Sequence, residues 1–161
     1  MELTYGRYLK VEELLQLQQP LSEGPEHDEM LFIIIHQVYE LWFKQILHEL
    51  EKLKSSFQEG ERGKALHTLK RIRSILKVLV SQVDVLETMT PLEFLSFRER
   101  LQSASGFQSC QFRELEFTLG LKNPKHLEHY SQGSEERNRL EKNGGTFFMG
   151  GIPPVSFQPW T

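Results

Sequence analysis

A single cysteine, Cys110, stands among 161 residues, so no disulfide can close within the chain. No apolar run approaches the roughly 18–20 residues that a membrane-spanning helix needs, which excludes such a helix. The opening Met1-Glu2-Leu3-Thr4-Tyr5 lacks the basic start and apolar core of a secretory signal. Together these absences predict a reducing, cytoplasmic setting. Charge of one sign is also missing: 19 Lys and Arg against 22 Asp and Glu leave a net charge of -3. That balance predicts no nucleic-acid partner and no membrane partner. There is no phosphate-cradling glycine loop, no Gly-x-Ser-x-Gly elbow and no cysteine–histidine spacing for zinc. Internal repeats and low-complexity tracts are absent as well.

What is present is a soluble, globular composition, with 39% hydrophobic and 25% charged residues. Apolar residues recur at three- and four-residue steps, the helical period. The pattern predicts an amphipathic helix over Tyr5–Gln18, then a breaker segment from Pro20 to Pro25. Asp28 is the expected N-cap of a long helix reaching about Lys54, carried by Leu31, Ile34, Ile35, Val38, Leu41, Trp42, Ile46 and Leu50. Gly60 and Gly63 mark the next turn, and Ala65–Thr88 repeats the helical pattern. Thr90 can cap and Pro91 suits the first position of a further helix through Leu101. Ser103–Gly106 is a loop of small residues, Gln108–Leu119 a helix ending at Gly120, and His126–Lys142 polar and weakly helical. No convincing period of two occurs up to Gly120. The expected class is all-α: a helical bundle of several long helices, residues 1–142, with an irregular Gly/Pro-rich tail over 143–161.

Within the apolar run that begins at Met30, His36 is out of place for a plain core helix. A buried ring nitrogen must find a partner or cost on the order of 1–3 kcal/mol. A backbone carbonyl can satisfy it, and so can a ligand. Phe32 lies one turn before His36 and Tyr39 three residues after it, so the three share a face. In combination they suit a flat aromatic ligand, stacked by Phe32 and hydrogen-bonded by His36; an ordinary aromatic core stripe is the alternative. Arg98 shares a face with Phe94. It can grip a carboxylate with two parallel hydrogen bonds, or snorkel and pair with Glu93 or with Glu99 of another chain. Ser105-Gly106 offers a hydroxyl and backbone N–H groups to a carboxylate, or is a simple turn. His27, His48 and His67 carry little signal, and His126-x-x-His129 is a weak metal motif.

Five segments in order carry a family resemblance. They are Tyr5-x-x-Tyr8-Leu9 with Leu14-Leu15 and Gln18; His27-Asp28-Glu29-x-Leu31-Phe32-Ile33-Ile34-x-His36-Gln37 with Glu40-Leu41-Trp42; Leu86-Glu87-Thr88-x-Thr90-Pro91; Phe97-Arg98; and Ser105-Gly106-Phe107-Gln108-Ser109-x-Gln111-Phe112-Arg113. Over about Leu3 to Lys142 the chain resembles tryptophan 2,3-dioxygenases. The resemblance implies an all-α fold, a haem b cofactor and an intertwined homotetramer. It also implies insertion of both atoms of O2 across the indole C2–C3 bond of L-tryptophan, giving N-formyl-L-kynurenine, the first step of the kynurenine pathway.

By the same resemblance, His36 is the catalytic residue that hydrogen-bonds the indole N–H, and Phe32 packs on the indole. Ile33, Ile34, Ile35 and Phe94 complete the substrate pocket, and Arg98 holds the substrate carboxylate. Ser105 and Gly106 stand at the haem, while Tyr5, Tyr8 and Leu9 close a neighbouring subunit's pocket. Phe94 departs from the tyrosine common in bacterial members. The histidine that ligates the haem iron belongs to the family's second half and is not found in this chain, and the sequence from Gly144 onward has no family likeness. Two alternatives follow from that shortfall: an inactive helical fragment, or a haem- or indole-binding module with His126 or His129 as a substitute ligand.

Overall fold

The computed structural model describes residues 2–24, 26–102 and 104–144. Among them there are helices and turns and no strand, as the helical period predicts. The frame is a hairpin of two long helices, α3 (Asp28–Gln58) and α4 (Arg62–Leu86). Every apolar residue that recurs at helical spacing on their facing sides is sealed: Ile46, Leu50 and Leu53 from α3 meet Ala65, Ile72, Ile75 and Leu79 from α4. Gly60 makes the hairpin possible. Its φ of +71° is open to glycine at no steric cost, and the amides of Gly60 and Glu61 return to the carbonyls of Phe57 and Ser56. Gly63, expected to belong to that turn, lies instead in the first turn of α4, because Gly60 alone supplies the reversal.

The expected single helix over Tyr5–Gln18 is two short ones, α1 (Tyr5–Leu9) and α2 (Val11–Leu14). Lys10 separates them in the left-handed region, φ +51°, where the period of apolar residues gives no warning. Asp28 is not the N-cap of α3: His27 holds that place without a side-chain cap, and Asp28 and Glu29 lie in the first turn. Their negative charge still suits the positive end of the helix dipole. Glu29 has a second task. Only 1% exposed, it accepts hydrogen bonds from the amides of Leu21 (2.7 Å) and Ser22 (3.0 Å), which ties the breaker segment to α3.

Helix α5 (Pro91–Arg98) begins as expected, with Pro91 in the first turn and Thr90 capping. The capping box is complete: Thr90 Oγ1 accepts from the Glu93 amide, and the Glu93 carboxylate accepts from the Thr90 amide at 2.6 Å. A 3₁₀ turn, Glu99–Leu101, extends it. A second, Gly106–Gln108, precedes α6 (Cys110–Thr118), whose cap is Ser109. Gly120, φ +102°, terminates α6 as predicted, with the amides of Gly120 and Leu121 returning to Phe117 and Glu116. The weakly helical segment after it divides into a 3₁₀ turn, Pro124–His129, and α7 (Glu135–Gly144), because Gly133 turns the chain between them. Helix α6 crosses α3, and α7 packs on α6 through Leu140. The expected irregular tail lies, from residue 145, outside the described residues, as does Ser103.

Candidate active site

The site grows from the middle of α3. His36 Nδ1 stands 2.7 Å from the carbonyl oxygen of Phe32, one turn back. A carbonyl can only accept, so Nδ1 carries the proton in the neutral ring and Nε2 holds a free lone pair. Both readings of this histidine therefore apply, one to each nitrogen: the backbone satisfies Nδ1, and Nε2 is left for a ligand.

Nε2 looks toward Gly106, where a Cβ would come within 3.7 Å of it. Beside this contact opens a cavity of about 390 Å³, lined by His36, Tyr39, Glu40, Phe43, Ser105, Gly106, Phe107, Ser109 and Phe112. The walls are aromatic and the rim carries hydroxyls. Ser105 Oγ accepts the Phe107 amide at 3.3 Å, which leaves its hydroxyl proton to donate. Tyr39 donates to the Leu79 carbonyl at 2.8 Å, and burial pushes its phenol above the ordinary value. It is therefore a neutral wall residue at physiological pH.

The loop is held over His36 by two fastenings from α6. Gln111 donates to both the backbone carbonyl (3.0 Å) and the carboxylate (2.7 Å) of Glu40. Arg113, buried and paired with Glu116 at 2.6 Å, donates to the Phe107 carbonyl at 3.3 Å. Sequence reasoning missed Glu40, Phe43, Phe107, Ser109 and Phe112 as cavity residues. A signal was available for two of them, since Glu40 and Phe43 follow His36 by four and seven residues on the same helical face.

Of the residues predicted for the site, the cavity itself gathers His36, Ser105 and Gly106. Phe32 is beside it: its ring centroid lies 4.1 Å from that of His36. Phe32 in turn meets Phe94 at 5.8 Å and Phe97 at 5.6 Å, so an aromatic cluster joins α3 to α5. Arg98 is half-buried at the end of α5, does not line the cavity, and donates from Nη1 to the Gln102 carbonyl at 3.1 Å. Glu93, one of its possible ion-pair partners, is engaged by Thr90 instead. Three consecutive residues cannot share a helix face, and Ile33, Ile34 and Ile35 do not. Ile35 is buried in the interior, Ile34 is exposed and Ile33 is intermediate. Tyr5, Tyr8 and Leu9 are exposed on α1, away from this cavity. His126 and His129 do not line it either.

Comparison with known proteins bears on this arrangement directly. The family model described as Tryptophan 2,3-dioxygenase matches residues 1–144. The chain belongs to the tryptophan 2,3-dioxygenase family. It is 62% identical over 140 residues to the tryptophan 2,3-dioxygenase of Herpetosiphon aurantiacus, covering 87% of this chain and 54% of that protein. The protein of the same name from an Anaeromyxobacter species is 57% identical over 138 residues, 86% of this chain and 51% of its own. That of Xanthomonas oryzae pv. oryzae is 47% identical over 140 residues, 87% of this chain and 47% of its own. The chain thus spans about half the length of the curated relatives it matches.

Whether the described residues suit the family's haem can be asked of the cavity. A flat apolar ring with acidic edges needs aromatic walls, a close backbone approach and hydroxyl or amide donors at the rim. Phe43, Phe107 and Phe112 supply the first, Gly106 the second, and Ser105 and Ser109 the third. The residues present fit one face of such a group. Among the described residues no cluster of histidine, cysteine and acidic side chains could hold a bare metal ion.

Proposed function

We propose that this chain carries the substrate-side half of a haem-dependent tryptophan 2,3-dioxygenase, acting on L-tryptophan and O2 to give N-formyl-L-kynurenine. The observation that supports it most is the approach of His36 Nδ1 to the Phe32 carbonyl, 2.7 Å. With Nδ1–H committed to the Phe32 carbonyl, Nε2 is an acceptor at the mouth of an aromatic cavity. An indole N–H is a donor, and a neutral imidazole is its natural complement.

Gly106, Phe107, Phe112, Ser105 and Ser109 are the residues that would hold haem, which would supply the chemistry of O2. The chain's own residues do the rest. His36 Nε2 accepts the indole N–H and so fixes which edge of the ring is presented. Phe32, held by Phe94 and Phe97, limits where the ring can lie. Arg98 is the proposed carboxylate ligand; its present hydrogen bond goes to the neutral carbonyl of Gln102, an acceptor that a carboxylate outcompetes. Ile33, Ile34 and Ile35 provide apolar surroundings rather than a common wall. Tyr5, Tyr8 and Leu9, exposed on α1, are proposed to close the pocket of a neighbouring copy in a homotetramer. A cytoplasmic location goes with this reading.

The test is haem titration of the full chain followed by absorbance, then tryptophan with O2. A change in the haem spectrum on addition of the chain, and binding of tryptophan by the haem-loaded chain, are expected; haem whose spectrum the chain leaves unaltered overturns the reading. Tryptophan affinity, measured by calorimetry, should fall about tenfold or more in Arg98→Ala and in His36→Ala, each of which strands a buried polar group of the ligand. With N1-methyltryptophan, which has no N–H to give, His36→Ala should change little. Equal loss for both ligands would remove His36 from the indole.

A further inference from the structure

The turn that faces His36 and the helix behind it form one hydrogen-bonded body. Within the turn the Gln108 amide donates to the Ser105 carbonyl at 2.9 Å, and the Ser105 amide donates to Gln108 Oε1 at 3.2 Å. Ser109 Oγ accepts the Phe112 amide at 3.1 Å, so α6 continues from the turn without a break. Arg113, buried and paired with Glu116, closes the body by donating to the Phe107 carbonyl. None of these four bonds reaches α3. Gln111 does: its Nε2 lies 3.0 Å from the backbone carbonyl oxygen of Glu40 and 2.7 Å from Glu40 Oε2. A side-chain amide nitrogen carries two hydrogens, so it serves both acceptors at once, the carboxylate through a charge-assisted bond. Two acceptors on one residue leave that amide a single placement.

Glu40 follows His36 by one turn on the same helix face, about 6 Å along the axis, and both line the cavity. The grip therefore lies beside the place where clearance is smallest. A Cβ on Gly106 would stand 3.7 Å from His36 Nε2 and 3.8 Å from its Cδ2, ordinary contact distances. A ring N–H has to come within about 3.2 Å of Nε2 to bond it, so a displacement of the turn by about 1 Å decides whether there is room. We propose that Gln111 is a positioning residue of this site: by grasping Glu40 it sets the gap between His36 Nε2 and the Gly106 turn, and with it the access of a ring N–H to that nitrogen. Calling that ring an indole rests on the dioxygenase reading; the gap itself does not. Gln111 does not line the cavity and acts through the turn. Phe112 also packs on Phe43, ring centroids 5.4 Å apart. Rings in tilted contact can slide, however, where a two-acceptor hydrogen bond cannot.

Variants of the full chain test it, with urea midpoints to establish that each is folded. Gln111→Leu removes the donor. In NMR of the chain without haem or tryptophan, it should shift the ring signals of His36 and weaken the cross-relaxation between that ring and the Gly106 Hα protons. Glu40→Gln keeps an oxygen for Gln111 and should resemble the unmodified chain. Gln111→Glu sets carboxylate against carboxylate and should behave like Gln111→Leu. Adding Glu40→Gln to it exchanges donor and acceptor, and should restore most of the His36–Gly106 contact. For the haem-loaded chain, Gln111→Leu should lower tryptophan affinity about tenfold and N1-methyltryptophan affinity much less. His36 signals that Gln111→Leu leaves unaltered, a loss in Gln111→Glu that Glu40→Gln does nothing to repair, or an equal loss for the two tryptophans would each overturn the proposal. A chain that binds no tryptophan would sink the dioxygenase reading alone, since the measurements on the ligand-free chain still decide what holds the turn.

Discussion

The two halves of α3 differ in opposite senses: the first is the more apolar in sequence, the second the more completely buried where it is apolar. From Ile46 to Ser56 its apolar residues vanish into the seam with α4: Ile46 and Leu53 are 0% exposed and Leu50 2%. From Leu31 to Phe43 the same helix meets a looser cover of α5, the Ser105–Ser109 turn and α6, and there most side chains are only half-buried. What distinguishes the halves is the partner. A straight helix with matching spacing gives a dry seam, whereas a turn fastened by Gln111 and Arg113 leaves a gap, and His36 stands in the gap. One element thus provides both the rigidity and the opening, the arrangement a binding site requires.

The sharpest way to break that contrast is Leu53→Ala. Deleting a fully enclosed side chain from the dry half should cost about 2–5 kcal/mol of stability, read by urea or thermal denaturation. Ligand affinity of the surviving folded fraction should be unaltered. If Leu53→Ala instead costs under about 1 kcal/mol, the second half of α3 is not the closed core described here.

How much of this could be read from residues alone follows the same division. The dry seam was legible because its apolar residues recur at the helical period: Ile46, Leu50, Leu69, Ile72, Ile75, Leu76 and Leu79 all obey one rule. Yet the rule could not say which of α4's two seams is covered, and so Leu69 and Leu76 are exposed while Ile72 and Ile75 are not. The punctuation at Thr90, Pro91 and Gly120 was legible because each residue's own chemistry dictates its place. Lys10 was not, since nothing in a lysine announces a left-handed backbone. At the site, His36 stood out as a misfit, but its cavity partners Phe107, Ser109 and Phe112 arrive from a loop and helix some 70 residues away. Local spacing contains no record of that meeting. Arg98 shows the converse: sequence gives it a role, while the described geometry sets it against Gln102 rather than in the cavity.

A second probe concerns the looser half. Glu29, in the first turn of α3 just ahead of that half, is almost fully buried and tethers Leu21 and Ser22. Burial opposes its ionisation, but hydrogen bonding by Ser22 and the two amides, aided by the positive charge of Arg100, outweighs that and holds the carboxyl below its ordinary value. A group depressed in the folded state stabilises above its unfolded pKa, and the benefit disappears as pH falls through the lower, folded value. Glu29→Gln should therefore cost about 1–3 kcal/mol near neutral pH, since one amide donor loses its acceptor. The gap between the two proteins should narrow as pH drops below about 4.5. Urea midpoints at stepped pH values decide it, and a gap that does not change with pH would mean that Glu29 is not ionised in the folded chain.

The smallest effect separates order from stability at the edge of the cluster. Thr90→Ala removes the cap of α5, the helix that brings Phe94 and Phe97 onto Phe32. A cap of this type contributes about 1 kcal/mol, so global stability should hardly move. The first turn of α5 would fray, however, and Phe94 sits on it, whereas Phe97 is fully buried one turn later. Amide exchange should accordingly speed up at Glu93 and Phe94 and stay slow at Phe97. Uniform acceleration through Arg98 would instead mean that the cap holds the whole helix in place, and that the aromatic cluster contributes less to the looser half than its ring contacts imply.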